Sequence, residues 1–273
     1  MSNKVASNRT ASGDPRRRWA TRRERMMIRS YHRPQSIEEA LRLLARGGVK
    51  TAALPALSLV DAQLDDSVDE VVDLQAVGLN QIRADGATLI VQAQVTLQAL
   101  LEHPAVSAPL RDILRHEEPN TLRNMRTLSS VILCADAESP LVAALLACDA
   151  QVSIQTLSGS RQMPLTDFLK DANAALAGGL VTDVLLDQGS ALAVAQVART
   201  PADKPIVAAV GRRDAAGQVR LALCGVASVP VLVDPQQLDA LNPPADFRGS
   251  SAYRQEMAAI VSRRVLESLE QAS

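Results

Sequence analysis

Aromatic side chains are scarce in this 273-residue chain, in which two Phe, two Tyr and one Trp make up 2% of the sequence. That scarcity argues against a nucleic-acid platform of stacked aromatics and leaves packing to Leu, Val, Ile and Ala. Cysteine is nearly as rare. Cys134, Cys148 and Cys224 are an odd number without CxxC spacing, which excludes a disulfide frame or an iron–sulfur motif and fits reduced thiols in a cytoplasmic protein. The three histidines, His32, His103 and His116, stand in no ligand spacing, so no metal site is expected. No apolar run reaches membrane-spanning length, and no membrane partner is expected.

What is present is an ordinary globular composition with an uneven charge. Apolar residues make up 47%, charged residues 22%, and the formal net charge is −1. Residues 1–30 nevertheless carry nine Lys or Arg against Asp14 and Glu24, so the remainder is acidic. A basic arm can bind nucleic acid or anionic lipid. Ser, Asn, Gly and Arg without apolar periodicity read instead as a disordered tail over residues 1–27, and nucleic acid is not an expected partner. Its twin arginines precede no apolar stretch and so make no export signal. Organised sequence begins just after Met26 and Met27, which makes either a candidate start.

Three units follow along the chain. Over residues 28–80, "SIEEALRLLARGG" is a helix with a Ser36/Glu39 capping box, and "KTAAL" and "DEVVDL" are buried strands, giving a small α/β unit. An α/β protein places its ligand site in the loop after such a first strand. Over residues 81–172, Asp85-Gly86 turns one strand into another. Short helices follow in "TLQALLEHP" and "APLRDILRH". Then Ser139 caps and Pro140 opens an apolar helix that leads into a strand, a Ser-Gly turn and a closing segment. From residue 173 to 273, "LVTDVLL", "ALAVAQVAR", "PIVAAVGRR" and "QVRLALCGV" read as antiparallel strands before the amphipathic helix of residues 250–270, an α+β unit. The fold class is therefore α+β.

In order, "YHRPQSIEEALRLL", "GATLIVQAQVTLQALLEHPAV", "TLRNMRTL", "LLACDAQVSI", "SGSRQMPLTDFL", "LALCGVASVPV" and "DFRGSSAYRQEMAAIVSRRVL" resemble the FAD-binding (medium) subunit of molybdenum hydroxylases, the carbon monoxide and xanthine dehydrogenase type. The resemblance implies a PCMH-type FAD fold of two α/β subdomains followed by a small antiparallel sheet with a helix. It also implies FAD as cofactor and partner subunits that carry molybdenum and iron–sulfur centres. In such complexes the medium subunit passes electrons through FAD to an acceptor, and two glycine-rich loops, A-G-G-T and T-I-G-G-N, wrap the pyrophosphate. Glycine suits that role because several backbone N–H groups must approach the phosphates without side chains in the way.

At both loops this chain departs from the pattern. Pro55, Ala56, Leu57 and Ser58, followed by Leu59, stand at the first, and proline supplies no N–H. In the second, Thr127 and Leu128 keep the frame, while Ser129, Ser130 and Val131 replace Gly, Gly and Asn. Forcing a non-glycine residue to positive φ costs about 1–2 kcal/mol. A third departure lies at Gly178, Gly179 and Leu180, where the family has Gly-Glu-Leu beside the flavin ring, so the acidic residue is gone. Arg123, Asn124, Thr127 and Asp136 survive from the pattern, and serine N–H and hydroxyl groups can bind phosphate.

Two readings follow. The expected one is a degenerate homologue, FAD binding lost, that serves as a non-catalytic or scaffolding subunit. The alternative is a functional FAD-binding oxidoreductase subunit that passes electrons from iron–sulfur centres through FAD to an acceptor. No catalytic residue stands out, because Ser58, Ser129 and Ser130 have no histidine at motif spacing.

Overall fold

The computed structural model describes residues 28–46, 51–54, 68–188, 191–200 and 203–272. The first layer is a parallel three-stranded sheet of β1 (Ser30–His32), β2 (Thr51–Leu54) and β3 (Glu70–Asp73), ordered β1-β3-β2. Helix α1 (Ile37–Leu44) crosses between β1 and β2 and starts where Ser36 Oγ accepts the Glu39 N–H at 3.2 Å. Its buried Ala40, Leu41 and Leu43 pack with Val72 and Leu74.

The second layer is a five-stranded sheet. Its strands are β4 (Ile82–Asp85), β5 (Thr88–Gln92), β6 (Gln151–Thr156), β7 (Gly159–Pro164) and β8 (Leu180–Asp187), in the order β4-β5-β8-β6-β7. Between β5 and β6 run α2 (Leu97–Glu102), α3 (Ala108–Glu117), α4 (Asn120–Arg123), α5 (Leu128–Cys134) and α6 (Pro140–Ala147). Two further short helices, α7 (Leu165–Phe168) and α8 (Ala172–Leu176), lead from β7 to β8. Strand β8 is the element whose neighbours the sequence misassigns. Grouped by proximity with the strands after it, it pairs antiparallel with β5 and β6 instead. Val181, Val184 and Leu186 belong to the large core that those strands and α6 enclose, and burial of that face sets the pairing.

The third layer is the antiparallel sheet β9 (Ala191–Val197), β10 (Val207–Arg213), β11 (Val219–Cys224) and β12 (Val231–Val233) with helix α9 (Ser251–Gln271). Alternation along its central strands divides the residues between two cores. Val207, Ala209, Leu221 and Leu223 face α9 through Ala258, Val261, Val265 and Leu269. Ala208, Val210, Ala222 and Cys224 face the other way and join the core around α6. All eight residues of α6 are buried, because α3 covers one side and this sheet the other. That environment explains a helix apolar on every face. The same burial pushes the Cys148 thiol up to about 12 and the Cys224 thiol up as well, so both act as small apolar residues.

Candidate functional site

The second expected pyrophosphate loop folds as the start of α5. Thr127 is the N-cap, and its hydroxyl accepts the Ser130 N–H at 3.3 Å while Ser130 Oγ accepts the Thr127 N–H at 3.0 Å. This reciprocal box is closed further by Ser130 Oγ donating to the Thr127 carbonyl at 2.7 Å. The Leu128 and Ser129 N–H groups donate to the Val95 and Ala93 carbonyls at 3.0 and 3.2 Å, and Val131 N–H closes the first helical bond to Thr127 O. A helix start attracts anions through N–H groups left without partners. From Thr127 to Val131 every N–H is engaged inside the protein. Thr127, Ser129 and Ser130 are buried, and Val131 lies in the large core.

The other expected site residues divide among separate places. Arg123 bridges α2 to the end of α3, with Nε donating to Gln98 Oε1 at 3.0 Å and Nη1 to the Glu118 carbonyl at 2.7 Å. Asn124 turns back on its own helix, Nδ2 donating to Asn120 O at 2.8 Å. Both hold the frame of the turn. Leu180 packs with Ala40, Leu41, Leu43, Val72 and Leu74 and so joins the first layer to the second. Gly179, just before it, has room for no side chain, since a Cβ there would lie 2.6 Å from the Gln155 carbonyl oxygen. Pro55, Ala56, Leu57, Ser58 and Leu59 lie outside the described residues.

Asp136 belongs to a cluster that sequence reading missed. The helix after it is capped by another residue, Ser139, while Asp136 accepts from the Glu138 N–H at 2.9 Å and pairs with Lys204 Nζ at 2.7 Å. Beside it, Glu138 pairs with Arg248 and, at 3.0 Å, with Arg254, whose second carboxylate partner is Asp246 at 2.7 Å. Arg254 also donates to the carbonyls of Ile206 and Gly225 at 2.8 and 2.9 Å. Gly225 stands at φ +80°, and a Cβ there would lie 2.0 Å from Ile206 O, so the turn closes only around glycine. Glu117, 3% exposed, accepts from Ser139 Oγ at 2.8 Å and from the Leu141 N–H at 3.0 Å.

Electrostatics follow from these partners. Burial raises the Glu117 pKa against the opposing pull of Lys204, the Leu141 N–H and the Ser139 hydroxyl. For Asp136 burial also works upward, but the Lys204 ammonium and the Glu138 N–H outweigh it and hold the carboxyl below its usual range. Lys204 is raised, because Glu117 and Asp136 overcome its own desolvation. The lattice ties the loop before α6 to the third layer. At the far end of α6, the pairs Asp149–Arg220 and Asp187–Arg212 make a second such tie. A recess of about 150 Å³ between Asp136, Glu138, Asp246 and Arg254 is smaller than the roughly 300–1,000 Å³ of small-molecule pockets. Among the described residues no cluster of His, Cys, Asp or Glu could hold a metal ion, and no helix is long and apolar enough to cross a membrane.

Comparison with known proteins gives this arrangement a relationship. Residues 25–186 match the family model described as the FAD binding domain in molybdopterin dehydrogenase. The chain is similar to YgfM of Escherichia coli (strain K12), 29% identical over 259 residues covering 86% of this chain and 94% of that one. It is also similar to the 6-hydroxypseudooxynicotine dehydrogenase complex subunit alpha of Paenarthrobacter nicotinovorans, 26% identical over 271 residues that cover 85% of this chain and 90% of the relative. Among solved structures, a chain of the Cu,Mo-CO dehydrogenase in its cyanide-inactivated form superposes with a TM-score of 0.78 at 24% identity. That match covers 91% of this chain and all of the other. The fold is therefore the PCMH-type FAD-binding fold of CO dehydrogenase. With more than half its length matched by the family model, the chain belongs to the family of FAD-binding domains of molybdopterin dehydrogenases.

Proposed function

We propose that this chain is a flavin-subunit fold retained without its flavin, a non-catalytic or scaffolding subunit within a molybdenum-hydroxylase-type complex. One observation carries the reading: every backbone N–H from Thr127 to Val131 already has a partner inside the protein. A pyrophosphate seated at this turn would have to break those bonds. Each broken bond that leaves a buried group unpaired costs about 1–3 kcal/mol. The buried Ser129 and Ser130 and the core-packed Val131 add side chains where a phosphate loop needs open backbone. Gly179 supports the same reading, since it stands where the family's pattern has its acidic residue and a Cβ there would lie 2.6 Å from the Gln155 carbonyl oxygen.

The second reading is a working FAD subunit that passes electrons from iron–sulfur centres to an acceptor, and family membership itself favours it. An absorption spectrum of the purified full-length protein, before and after addition of FAD and removal of the excess, separates the two. The expected result is no flavin absorption in the protein fraction in either case. A stoichiometric flavin spectrum that survives gel filtration would establish the second reading and remove the first. Partner subunits are tested separately, by purification of the tagged chain from its own host and identification of what accompanies it.

A further inference from the structure

We propose that Phe247, with Arg199 stacked on it, anchors this chain to a second polypeptide that presents an apolar socket rimmed by carboxylates. The inference rests on the proposed place in a multi-subunit complex and identifies the surface involved. Phe247 is 88% exposed, although the chain has only two phenylalanines and the other, Phe168, is fully buried. A single exposed apolar residue is ordinary on a protein surface. What sets this one apart is how firmly it is held and what lies over it.

The loop that carries Phe247 is fixed on both sides. Asp246 Oδ1 accepts the N–H groups of Arg248 and Gly249 at 2.8 and 3.0 Å, and Asp246 N–H donates to the Gly249 carbonyl at 3.1 Å. Asp246 Oδ2 is held by the buried Arg254, and the Arg248 side chain is held by Glu138 and the Lys204 carbonyl. Phe247 therefore projects from between two anchored neighbours. An aromatic ring ordered in advance loses little further freedom on binding, which is what lets one residue dominate an interface.

Arg199 fixes the chemistry of the partner. Its Nη2 donates to the Phe247 carbonyl at 3.0 Å, and its guanidinium lies 5.8 Å from the centre of the ring. Among the described residues no carboxylate pairs with it, so one positive charge accompanies the ring to the surface. The complementary surface is a socket that accepts the phenyl ring, with an Asp or Glu at its edge for Arg199. Aromatic and arginine side chains are the residue types that concentrate binding energy at interfaces.

The test uses the tagged full-length chain in its own host, with Phe247→p-benzoylphenylalanine for photocrosslinking and Leu157→p-benzoylphenylalanine, at another exposed apolar position, as control. The expected result is a crosslink from position 247, absent from position 157, to a polypeptide bearing molybdenum-cofactor or iron–sulfur motifs. The attachment site is expected in an apolar patch beside a carboxylate. Phe247→Ala is expected to weaken the isolated assembly roughly thirtyfold or more, and Arg199→Glu to weaken it similarly, with the melting temperature of the free chain unchanged. An assembly that copurifies but binds both variants within threefold of wild type overturns the anchor and leaves the proposed complex standing. A crosslink only to a second copy of this chain also overturns it, and absence of any such subunit from the host removes both proposals.

Discussion

Replacement of Arg254 by Met tests whether the buried lattice holds the third layer to the rest of the protein. The substitution keeps most of the aliphatic volume and removes the guanidinium, which is 2% exposed and donates to Glu138, Asp246, Ile206 O and Gly225 O. Two carbonyls lose this donor. Glu138 keeps Arg248, and the half-exposed Asp246 keeps two backbone N–H groups, so neither carboxylate is left bare. Arg254 Nε is buried without a partner, a cost that the substitution relieves. Removal of one member of a buried ion pair costs about 3–5 kcal/mol, and these offsets put the expected loss at about 3 kcal/mol. With a urea slope of about 2–3 kcal/mol/M, the unfolding midpoint should fall by roughly 1 M or somewhat more. In the double variant Arg254→Met with Glu138→Gln, the loss should be smaller than the sum of the two single losses, because the Glu138–Arg254 pair is broken in either single variant. A loss below about 1 kcal/mol for the single variant, at an unchanged slope, would refute the reasoning.

Asp246 provides a test by pH. Its carboxyl is held down at about 2 by the Arg254 hydrogen bond and the N–H groups of Arg248 and Gly249, against about 3.9 for an ordinary Asp. The folded value lies below the unfolded one, so the contribution is complete above about pH 4 and is lost as pH falls toward about 2. Asp246→Asn should therefore be less stable at neutral pH and flatter through the acid range in urea midpoints, and two parallel curves would count against the assignment. At the other site, Thr127→Ala removes one half of the capping box and should cost about 1 kcal/mol, with most of it restored by Thr127→Ser. Equal stabilities for the Ala and Ser variants by the same measurement would mean that the hydroxyl does not cap this turn.

Local chemistry made much of this protein legible. Ser36 and Ser139 lie at helix starts where a hydroxyl meets an N–H three residues on, so each signal is contained in four residues, whereas the same signal at Thr127 was masked by its likeness to a phosphate loop. The Asp85-Gly86 turn is legible for the same reason, since Gly86 takes φ +57°. The buried lattice was not. Glu117, Glu138, Lys204, Asp246 and Arg254 come from distant parts of the chain, and no window holds them together. One trace was available: Arg254 falls at helical spacing with the buried Ala258, Val261 and Val265, a charge on an apolar face that requires a partner. The placement of β8 in the second sheet likewise depends on which faces are buried, and proximity in sequence misled.

Most of the longer helices and strands, their order, the family resemblance and the non-glycine residues at 55–59 and 129–131 were contained in the sequence, because propensity, capping and motif are properties of neighbouring residues, whereas Leu128–Cys134, loop-like in sequence, folds as a helix. Only the tertiary structure decided that the N–H groups at Thr127–Val131 are engaged, that α6 is enclosed on both sides and that two sets of ion pairs tie the layers together. Those outcomes depend on which groups long-range packing removes from water, and a group removed from water must find its partner wherever the fold brings one within reach.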